Sequence, residues 1–244
     1  MKHLLTAIQA MLLFMPLHAQ TFSTAPQATE CLQGNVSYFE ETTYNVWSIR
    51  FNSPDSKVGE QTVQTIKRPE SIVCHEFDAQ GHETVTTRYV QRDANVGSIG
   101  RDEDGNIDFI ANEISRSTPD TRTVMEYDNN GKLISTKTWS FNLGDSTLVA
   151  TSSDSINNTF KYDSDHFLIR YIDQDGMTVK YYYNERGNLV RQSSEWKDGG
   201  VLNYVFEDFE YDDYGNWIRC VRKLKDPGEA PRSTKIIERS FIYR

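Results

Sequence analysis

The sequence predicts an all-β protein, an antiparallel β-meander of repeated strand–turn–strand units that forms an open, curved sheet. Two observations carry this prediction. A five-residue pattern (an aromatic residue, Asp, two variable positions and Gly) recurs between residues 77 and 215. The segments between its copies alternate apolar and polar residues with the two-residue period of a strand, and no capped helical pattern follows the N-terminal apolar segment. Strands joined by turns this short must run antiparallel.

The repeat has seven copies, and those that keep the aromatic residue, the Asp and the Gly begin at Phe77, Tyr127 and Tyr211. In each copy the aromatic residue closes a strand. The Asp accepts a hydrogen bond from the backbone two residues on, and the Gly takes the positive φ that ends a short hairpin loop. We therefore assign a structural turn role to Gly81, Gly105, Gly131, Gly176, Gly187 and Gly215.

The other copies are degenerate and begin at Arg101, Tyr162, Ile172 and Tyr183. The copy at Tyr162 carries His166 in the Gly position, and the copy at Tyr183 carries Asn184 in the Asp position. These substitutions suit a turn, because His and Asn accept a positive φ or a turn hydrogen bond better than most residues.

Residues 1–19 predict a cleaved signal peptide. Lys2 gives a basic start, an apolar run follows, and Pro16 precedes the small residue Ala19 at the expected cleavage point. The apolar run is too short to span a bilayer comfortably, and no later segment approaches 18 apolar residues, so no membrane span is expected. A buried N-terminal helix is the alternative interpretation of this segment. We expect a periplasmic or extracellular protein after cleavage near Ala19.

Residues 20–34 have the composition of a polar leader, and residues 35–244 form the predicted β-meander domain, with a sub-boundary near 115–121 where Pro119 and Asp120 interrupt the pattern. Alternation is clearest at Met177–Tyr183, where Val179 and Tyr181 alternate with polar neighbours. Strands are predicted at 36–51 (as two strands), 61–66, 71–77, 83–90, 106–114, 121–127, 132–141, 158–162, 167–172, 177–183, 188–196, 201–211, 217–224 and 235–243.

Two stretches carry a family resemblance: 183–190, which reads YNERGNLV, and 211–217, which reads YDDYGNW. They resemble the YD repeats of the rearrangement-hot-spot proteins, and the resemblance extends over about residues 77–224. It implies a long antiparallel β-meander. The giant members of that family wrap a shell around a toxin or form adhesion scaffolds at the cell surface. This chain is too short for such a shell, so the resemblance predicts the fold of a small secreted bacterial member and leaves its activity open.

Charge narrows the range of partners. Without residues 1–19 the chain loses Lys2 and carries 25 Lys and Arg against 35 Asp and Glu, a net charge of −10. This balance argues against nucleic acid or an anionic membrane surface as a partner.

An oxidising compartment permits one disulfide among Cys31, Cys74 and Cys220. We favour Cys31–Cys74, because Cys220 lies many strands away in a meander; three reduced, buried thiols are the alternative.

The segment Asp102–Asp108 comes nearest to a metal site. If Gly105 takes the sixth position of a calcium loop, Gly100 and Ala111 fall at the first and twelfth positions, where ligands are required. The segment therefore predicts a plain acidic hairpin turn. The three histidines after the signal peptide lack metal-ligand spacing, and no nucleotide-binding loop or nucleophile elbow is present. We predict no metal, no cofactor and no catalytic residue.

The remaining candidate binding residues are the tryptophans, Trp47, Trp139, Trp196 and Trp217. Aromatic side chains of a sheet usually stack across strands in the core. A strip of them on an uncovered face would bind a partner. We expect a non-enzymatic, exported β-repeat scaffold or binding protein that recognises a protein or a glycan through a sheet face or edge. The alternative is a hydrolase or lyase that acts on envelope polysaccharide through acidic residues on the concave face.

Overall fold

The computed structural model describes residues 32–52, 61–79, 83–91, 98–118, 121–143, 147–152, 157–163, 167–225 and 233–244. The predicted signal peptide and most of the predicted leader lie outside these residues. The regular structure of the described residues is entirely β-strand, and sequential strands of the main sheet pair antiparallel. The prediction of an all-β antiparallel meander is confirmed.

The strands, numbered in chain order, are β1 (Val36–Asn52), β2 (Gln61–Phe77), β3 (Glu83–Val90), β4 (Gly100–Arg101), β5 (Ile107–Asp108), β6 (Glu113–Ser117), β7 (Thr121–Tyr127), β8 (Leu133–Leu143), β9 (Thr147–Ser152), β10 (Asn157–Tyr162), β11 (Leu168–Ile172), β12 (Thr178–Tyr183), β13 (Leu189–Glu195), β14 (Val201–Tyr211), β15 (Trp217–Leu224) and β16 (Ser233–Tyr243). All of them belong to one sheet except β4 and β5, which pair with each other as a separate two-stranded hairpin.

The strands of the main sheet pair with their neighbours in chain order. Because β4 and β5 form the separate hairpin, β3 pairs directly with β6. The first strand has a neighbour on each side: β1 pairs with β2 and, over Val36–Asn45, with β16. This second pairing places the first and last strands of the main sheet side by side. Turn signals do not reveal such a contact, because it links strands about 200 positions apart in the chain.

The first hairpin differs from the predicted elements. β1 and β2 each form one strand of 17 residues where the sequence predicts two shorter strands. The two pair continuously apart from one irregularity, where Tyr44 lies opposite Pro69 and the next pair is Thr43 with Ser71. A proline lacks the N–H that a ladder uses, so it is tolerated at this irregularity rather than in a regular stretch. β9 is a strand that the sequence analysis did not predict.

The repeat motif forms the tight turn that the sequence predicts. Asp128 Oδ1 accepts the N–H groups of Asn130 and Lys132, each at 2.9 Å, and Gly131 N–H donates to the Asp128 carbonyl at 3.0 Å. The φ of Gly131 is +77°. A positive φ is also found at Gly105, Gly176, Gly187 and Gly215. Gly81 and His166 lie outside the described residues.

The enclosed face of the sheet carries most of the core. Its largest cluster of buried side chains spans β8 to β16 and includes Trp139, Phe160, Tyr162, Leu168, Val179, Tyr181, Leu189, Phe206, Trp217, Cys220 and Ile237. A smaller cluster of Val36, Phe39 and Phe77 adds Leu32 from the end of the predicted leader. The predicted sub-boundary near 115–121 falls at the β6–β7 turn, and these two strands pair along their length within the same sheet.

The cysteine side chains lie in different parts of the core. Cys74 and Cys220 are both buried. Cys74 packs with Ile72 and Ile99 in an apolar cluster on the outer face of the sheet. Cys31 lies outside the described residues, so the Cys31–Cys74 bridge stays a prediction.

Candidate functional site

The structure separates the tryptophans that the sequence analysis selected. Trp139 and Trp217 are buried in the enclosed core. Trp196 is 41% exposed and begins the turn between β13 and β14. Trp47 lies on β1, but its side chain is outside the described part of the structure. The described tryptophans therefore do not form one exposed aromatic platform.

A surface groove of about 550 Å³ lies at one end of the sheet. Two hairpin connections contribute its ends: Asp163 and Phe167 beside β10 and β11, and residues 184–187 between β12 and β13. Strand residues Ile169 and Tyr182 line it as well. The groove thus lies between two neighbouring copies of the repeat.

The turns position the groove through their own hydrogen bonds. Asp163 Oδ1 accepts the Phe167 N–H at 2.9 Å, and Asn184 Oδ1 accepts the N–H groups of Arg186 and Asn188, both at 3.0 Å. Across the base of each connection, the Asp163 N–H donates to the Phe167 carbonyl and the Asn184 N–H donates to the Asn188 carbonyl, both at 3.0 Å. Because the acidic or amide residue of each copy is committed to its own turn, the backbone that borders the groove is held in place.

Phe167 forms an aromatic contact between the two copies. Its ring lies 4.9 Å from the ring of Tyr183, with an interplanar angle of 35°. On its other side it approaches Gly187 so closely that a Cβ at that position would lie 2.8 Å from Phe167 Cζ. Tyr183 is held in turn by a 2.8 Å hydrogen bond from its hydroxyl to the Leu168 carbonyl. The aromatic side of the groove is therefore a packed, pre-positioned surface.

Tyr182 supplies the exposed aromatic ring of the groove. It is 40% exposed, whereas its neighbour Tyr181 is buried, as expected for residues on opposite faces of a strand. The Arg191 guanidinium, on the adjacent strand, lies 4.3 Å from the centroid of the Tyr182 ring. Ile169, which is 39% exposed, falls at an irregularity in the β10–β11 ladder. Tyr182 and Ile169 therefore expose apolar surface to solvent.

Charged groups border the same groove. Glu185 and Arg186 are exposed residues of the β12–β13 turn. The Arg186 guanidinium lies 5.0 Å from the centroid of the Tyr211 ring, which holds it beside the turn. A carboxylate that accepts hydrogen bonds and a guanidinium that donates them thus border the same groove as Tyr182. Such a combination suits a ligand with both an apolar face and several hydroxyl groups.

A second group of polar side chains lies inside the sheet and is almost fully buried. His75 Nδ1 is 2.5 Å from Glu83 Oε1, and Phe39 stacks on the His75 ring at 4.2 Å. Arg122 Nη1 lies 3.9 Å from Glu83 Oε2. Burial lowers the pKa of Arg122, and the carboxylates of Glu83 and Glu113 oppose that shift. Both members of the His75–Glu83 pair have side-chain exposures of 1% or less, so a dissolved substrate does not reach them in this conformation.

A neighbouring ion pair explains the position of Trp217. Arg239 Nε donates to Glu41 Oε2 at 2.9 Å, and both side chains are buried. The Arg239 guanidinium lies 3.5 Å from the centroid of the Trp217 ring and 5.2 Å from that of Phe39. A buried charge of this kind is stabilised by its partner carboxylate and by the aromatic faces. Trp217 therefore packs on an internal cation.

The predicted acidic turn at Asp102–Asp108 forms the loop between β4 and β5. Asp102 Oδ1 accepts the N–H groups of Asp104 at 3.0 Å and Asn106 at 2.8 Å. The hydrogen bonds from Asn106 hold the pKa of Asp102 below its usual value. Within the described residues, no three metal-binding side chains come together. No helix in the described part of the chain is long and apolar enough to cross a membrane.

The sequence analysis missed the groove residues Phe167, Tyr182 and Arg186. Tyr182 carries a signal in hindsight, since it is the large aromatic residue in the outward register of the alternating strand Thr178–Tyr183. Phe167 follows the Gly position of its repeat, and the sequence predicts it only as the first residue of the strand 167–172. These residues line one groove because β11 pairs with β12, and local pattern does not specify which strands pair.

Comparisons with known proteins add distant structural likenesses. No family model matches the chain, and no curated protein matches it. Among solved structures, it is similar to a porin-like protein from Bacteroides uniformis, with a TM-score of 0.32, 8% identity and coverage of 86% of this chain and 98% of that one. It is also similar to a LolA superfamily protein from Nitrosomonas europaea, with a TM-score of 0.31, 7% identity and coverage of 97% and 93%. Scores of this size do not establish a shared fold.

Proposed function

We propose that this protein is an exported, non-enzymatic β-sheet binding protein whose groove between two repeat turns takes an oligosaccharide. The groove carries the proposal, because it combines the exposed ring of Tyr182 with the carboxylate of Glu185 and the guanidinium of Arg186. Sugar rings present apolar C–H faces that stack on aromatic rings, and their hydroxyls pair with charged and amide groups. Hydrogen bonds accepted by Asp163 and Asn184 brace the described backbone beside the groove, which reduces the ordering cost of binding.

Binding should be measured by calorimetry with residues 20–244 and a panel of cell-envelope oligosaccharides. We expect Tyr182→Ala to weaken binding at least about tenfold, since the ring supplies the stacking surface. Trp196→Ala is the matched control, because Trp196 is exposed to the same degree (41% against 40%) on a turn at the opposite end of β13. Equal effects of the two variants, or no binding by any oligosaccharide, would refute the proposal.

The competing function is a polysaccharide hydrolase or lyase. The same samples distinguish the two, because a binding protein returns the oligosaccharide intact after prolonged incubation and an enzyme shortens it. The internal His75–Glu83 pair does not support the enzyme, since its side chains are shielded from solvent. A bound ligand with new reducing or unsaturated ends would favour the enzyme.

Export and family membership are part of the proposal. The basic and apolar pattern of residues 1–19 supports export, and N-terminal sequencing of the protein from its native host should then find Gln20 first. An intact Met1 in exported protein would contradict cleavage near Ala19. Membership of the YD-repeat family is supported by the shared hydrogen-bond pattern at Asp102, Asp128, Asn184 and Asp212.

A further inference from the structure

The β4–β5 hairpin lies on the outer face of the sheet. It is anchored by Asn112, the residue just before β6. Asn112 donates its N–H to the Arg88 carbonyl at 2.8 Å, and its own carbonyl accepts the Tyr127 N–H at 2.9 Å. Asn112 Oδ1 also accepts the Val90 N–H at 2.5 Å. This buried residue fixes the base of the excursion between β3 and β6.

Beyond this anchor, side chains rather than a strand ladder hold the hairpin on the sheet. In the described part of the chain, β4 and β5 pair only with each other. Ile99, Ile107 and Phe109 pack on Ile72 and Cys74 of β2. Segments attached without main-chain pairing open at a lower free energy than the strands beneath them, and an isolated two-stranded hairpin is marginal.

One ion pair adds to this apolar contact. Arg101 donates from Nη2 to Glu40 Oε1, and from Nη1 to the Gly105 carbonyl at 2.8 Å. Thr42 Oγ1 donates to the same Glu40 oxygen at 3.2 Å, which orients the carboxylate. The Arg101 side chain is 43% exposed and that of Glu40 is 11% exposed, so salt and solvent reach the pair from one side.

The hairpin is internally braced and can move as one unit. Asp102 Oδ1 accepts two backbone N–H groups, those of Asp104 and Asn106. The Asn106 side-chain amide donates from Nδ2 to Asp102 Oδ2 at 3.1 Å. All residues from Gly100 to Asn106 are exposed. The acidic loop therefore belongs to the hairpin alone, and opening would leave its turn intact.

A protected thiol lies beneath the hairpin. Cys74 is 8% exposed, and Tyr38 hydrogen-bonds to it on the same outer face. Burial raises the pKa of the Cys74 thiol, and this effect outweighs the opposing hydrogen bond from Tyr38. The covered thiol is protonated and inert, whereas an uncovered one regains the ordinary reactivity of an exposed cysteine.

We propose that the β4–β5 hairpin is a strap that opens independently of the sheet, with the Arg101–Glu40 pair as its latch, and that its opening controls access to Cys74. The proposal is independent of the groove and of any ligand. Cys220, fully buried in the enclosed core, is the internal reference, since only unfolding of the sheet exposes it.

Alkylation of the mature protein with iodoacetamide, followed by peptide mass spectrometry, reports each cysteine separately. Arg101→Glu places two carboxylates together, so we expect Cys74 to react about tenfold faster while Cys220 stays unmodified. Arg219→Glu is the matched control, because Arg219 pairs with Glu210 at 2.8 Å on another part of the surface. The double variant Glu40→Arg with Arg101→Glu should return the Cys74 rate towards that of the wild type.

Two results would overturn the strap. An unchanged Cys74 rate in Arg101→Glu would show that the pair is not a latch, and a parallel rise at Cys220 would show unfolding of the whole sheet. If Arg101→Glu does not fold, the wild-type protein decides the question. Raising the salt concentration should then speed the modification of Cys74 relative to Cys220, and a constant ratio would contradict the proposal.

Discussion

The turn residues of the repeat show how a local pattern becomes a geometric constraint. Asp128, Asn184 and Asp212 each use one side-chain oxygen to hold two backbone N–H groups, and the Gly three positions later turns the chain at positive φ. Asn184 performs this role as well as an Asp does, because the bonds need an acceptor oxygen and not a charge. The tolerance of the degenerate copies follows from this chemistry.

Glycine positions in the same repeat differ in what surrounds them. Gly187 and Gly215 have φ of +79° and +92°, so Ala at either is strained by about 1–2 kcal/mol. At Gly187 the new Cβ also lies 2.8 Å from Phe167, whereas at Gly215 no atom of the described residues beyond its chain neighbours lies within 4 Å of it. We expect Gly187→Ala to lower the free energy of unfolding in urea more than Gly215→Ala does. A larger loss for Gly215→Ala would contradict the contact.

At the scale of elements, side chains just after the Gly position join neighbouring turns into one rim. Phe167 packs on Tyr183, Asn188 Nδ2 donates to the Tyr211 hydroxyl, and Asn216 Nδ2 donates to the Tyr243 hydroxyl at 2.8 Å. The three tyrosines that are contacted, Tyr183, Tyr211 and Tyr243, are the last residues of β12, β14 and β16. The repeat therefore specifies a contact between elements as well as a turn.

The Asn216 contact gives a prediction for the rim. Its amide also donates to the Gln33 carbonyl at 2.8 Å, and its Oδ1 accepts the Gln33 N–H at 2.7 Å. Asn216→Ala removes all of these bonds from a buried site, so we expect it to cost about 2–3 kcal/mol of unfolding free energy in urea. Asn130→Ala, at an exposed position of another turn, should change it by less than about 0.5 kcal/mol. Similar losses for both would mean that the rim contacts contribute little.

For the whole molecule, the decisive contact is the pairing of β1 with β16. It places residues from the first and last described strands side by side and provides each with a second neighbour. It also brings Arg239 to Glu41 and the Arg244 guanidinium to the Phe77 and Asp78 carbonyls. Because β1 and β16 pair, the N–H and C=O groups along their facing edges are hydrogen-bonded instead of exposed at an unprotected sheet edge.

Cross-linking tests this pairing. Thr42 and Glu238 are directly opposed in the ladder, where Cα atoms lie about 4.5–5.5 Å apart, within reach of a disulfide. Thr42→Cys with Glu238→Cys should form an intramolecular bridge on mild oxidation, detected by peptide mass spectrometry. Thr42→Cys with Ser193→Cys, on β13, should not. Bridges that form only between molecules in the first variant would refute the pairing of β1 with β16.

Local sequence determined the turns, the strand alternation and the all-β class, because an Asp, a positive-φ Gly and a two-residue period each act within about five residues. Local pattern did not indicate that Cys74 packs beneath the β4–β5 hairpin, in a cluster with Ile99. It also did not locate the groove, which Phe167 and Tyr182 line together only because β11 and β12 pair. The tertiary structure alone decided these features and the contact between β1 and β16. Such contacts depend on which strands lie side by side and on what covers each face, and no local pattern encodes either.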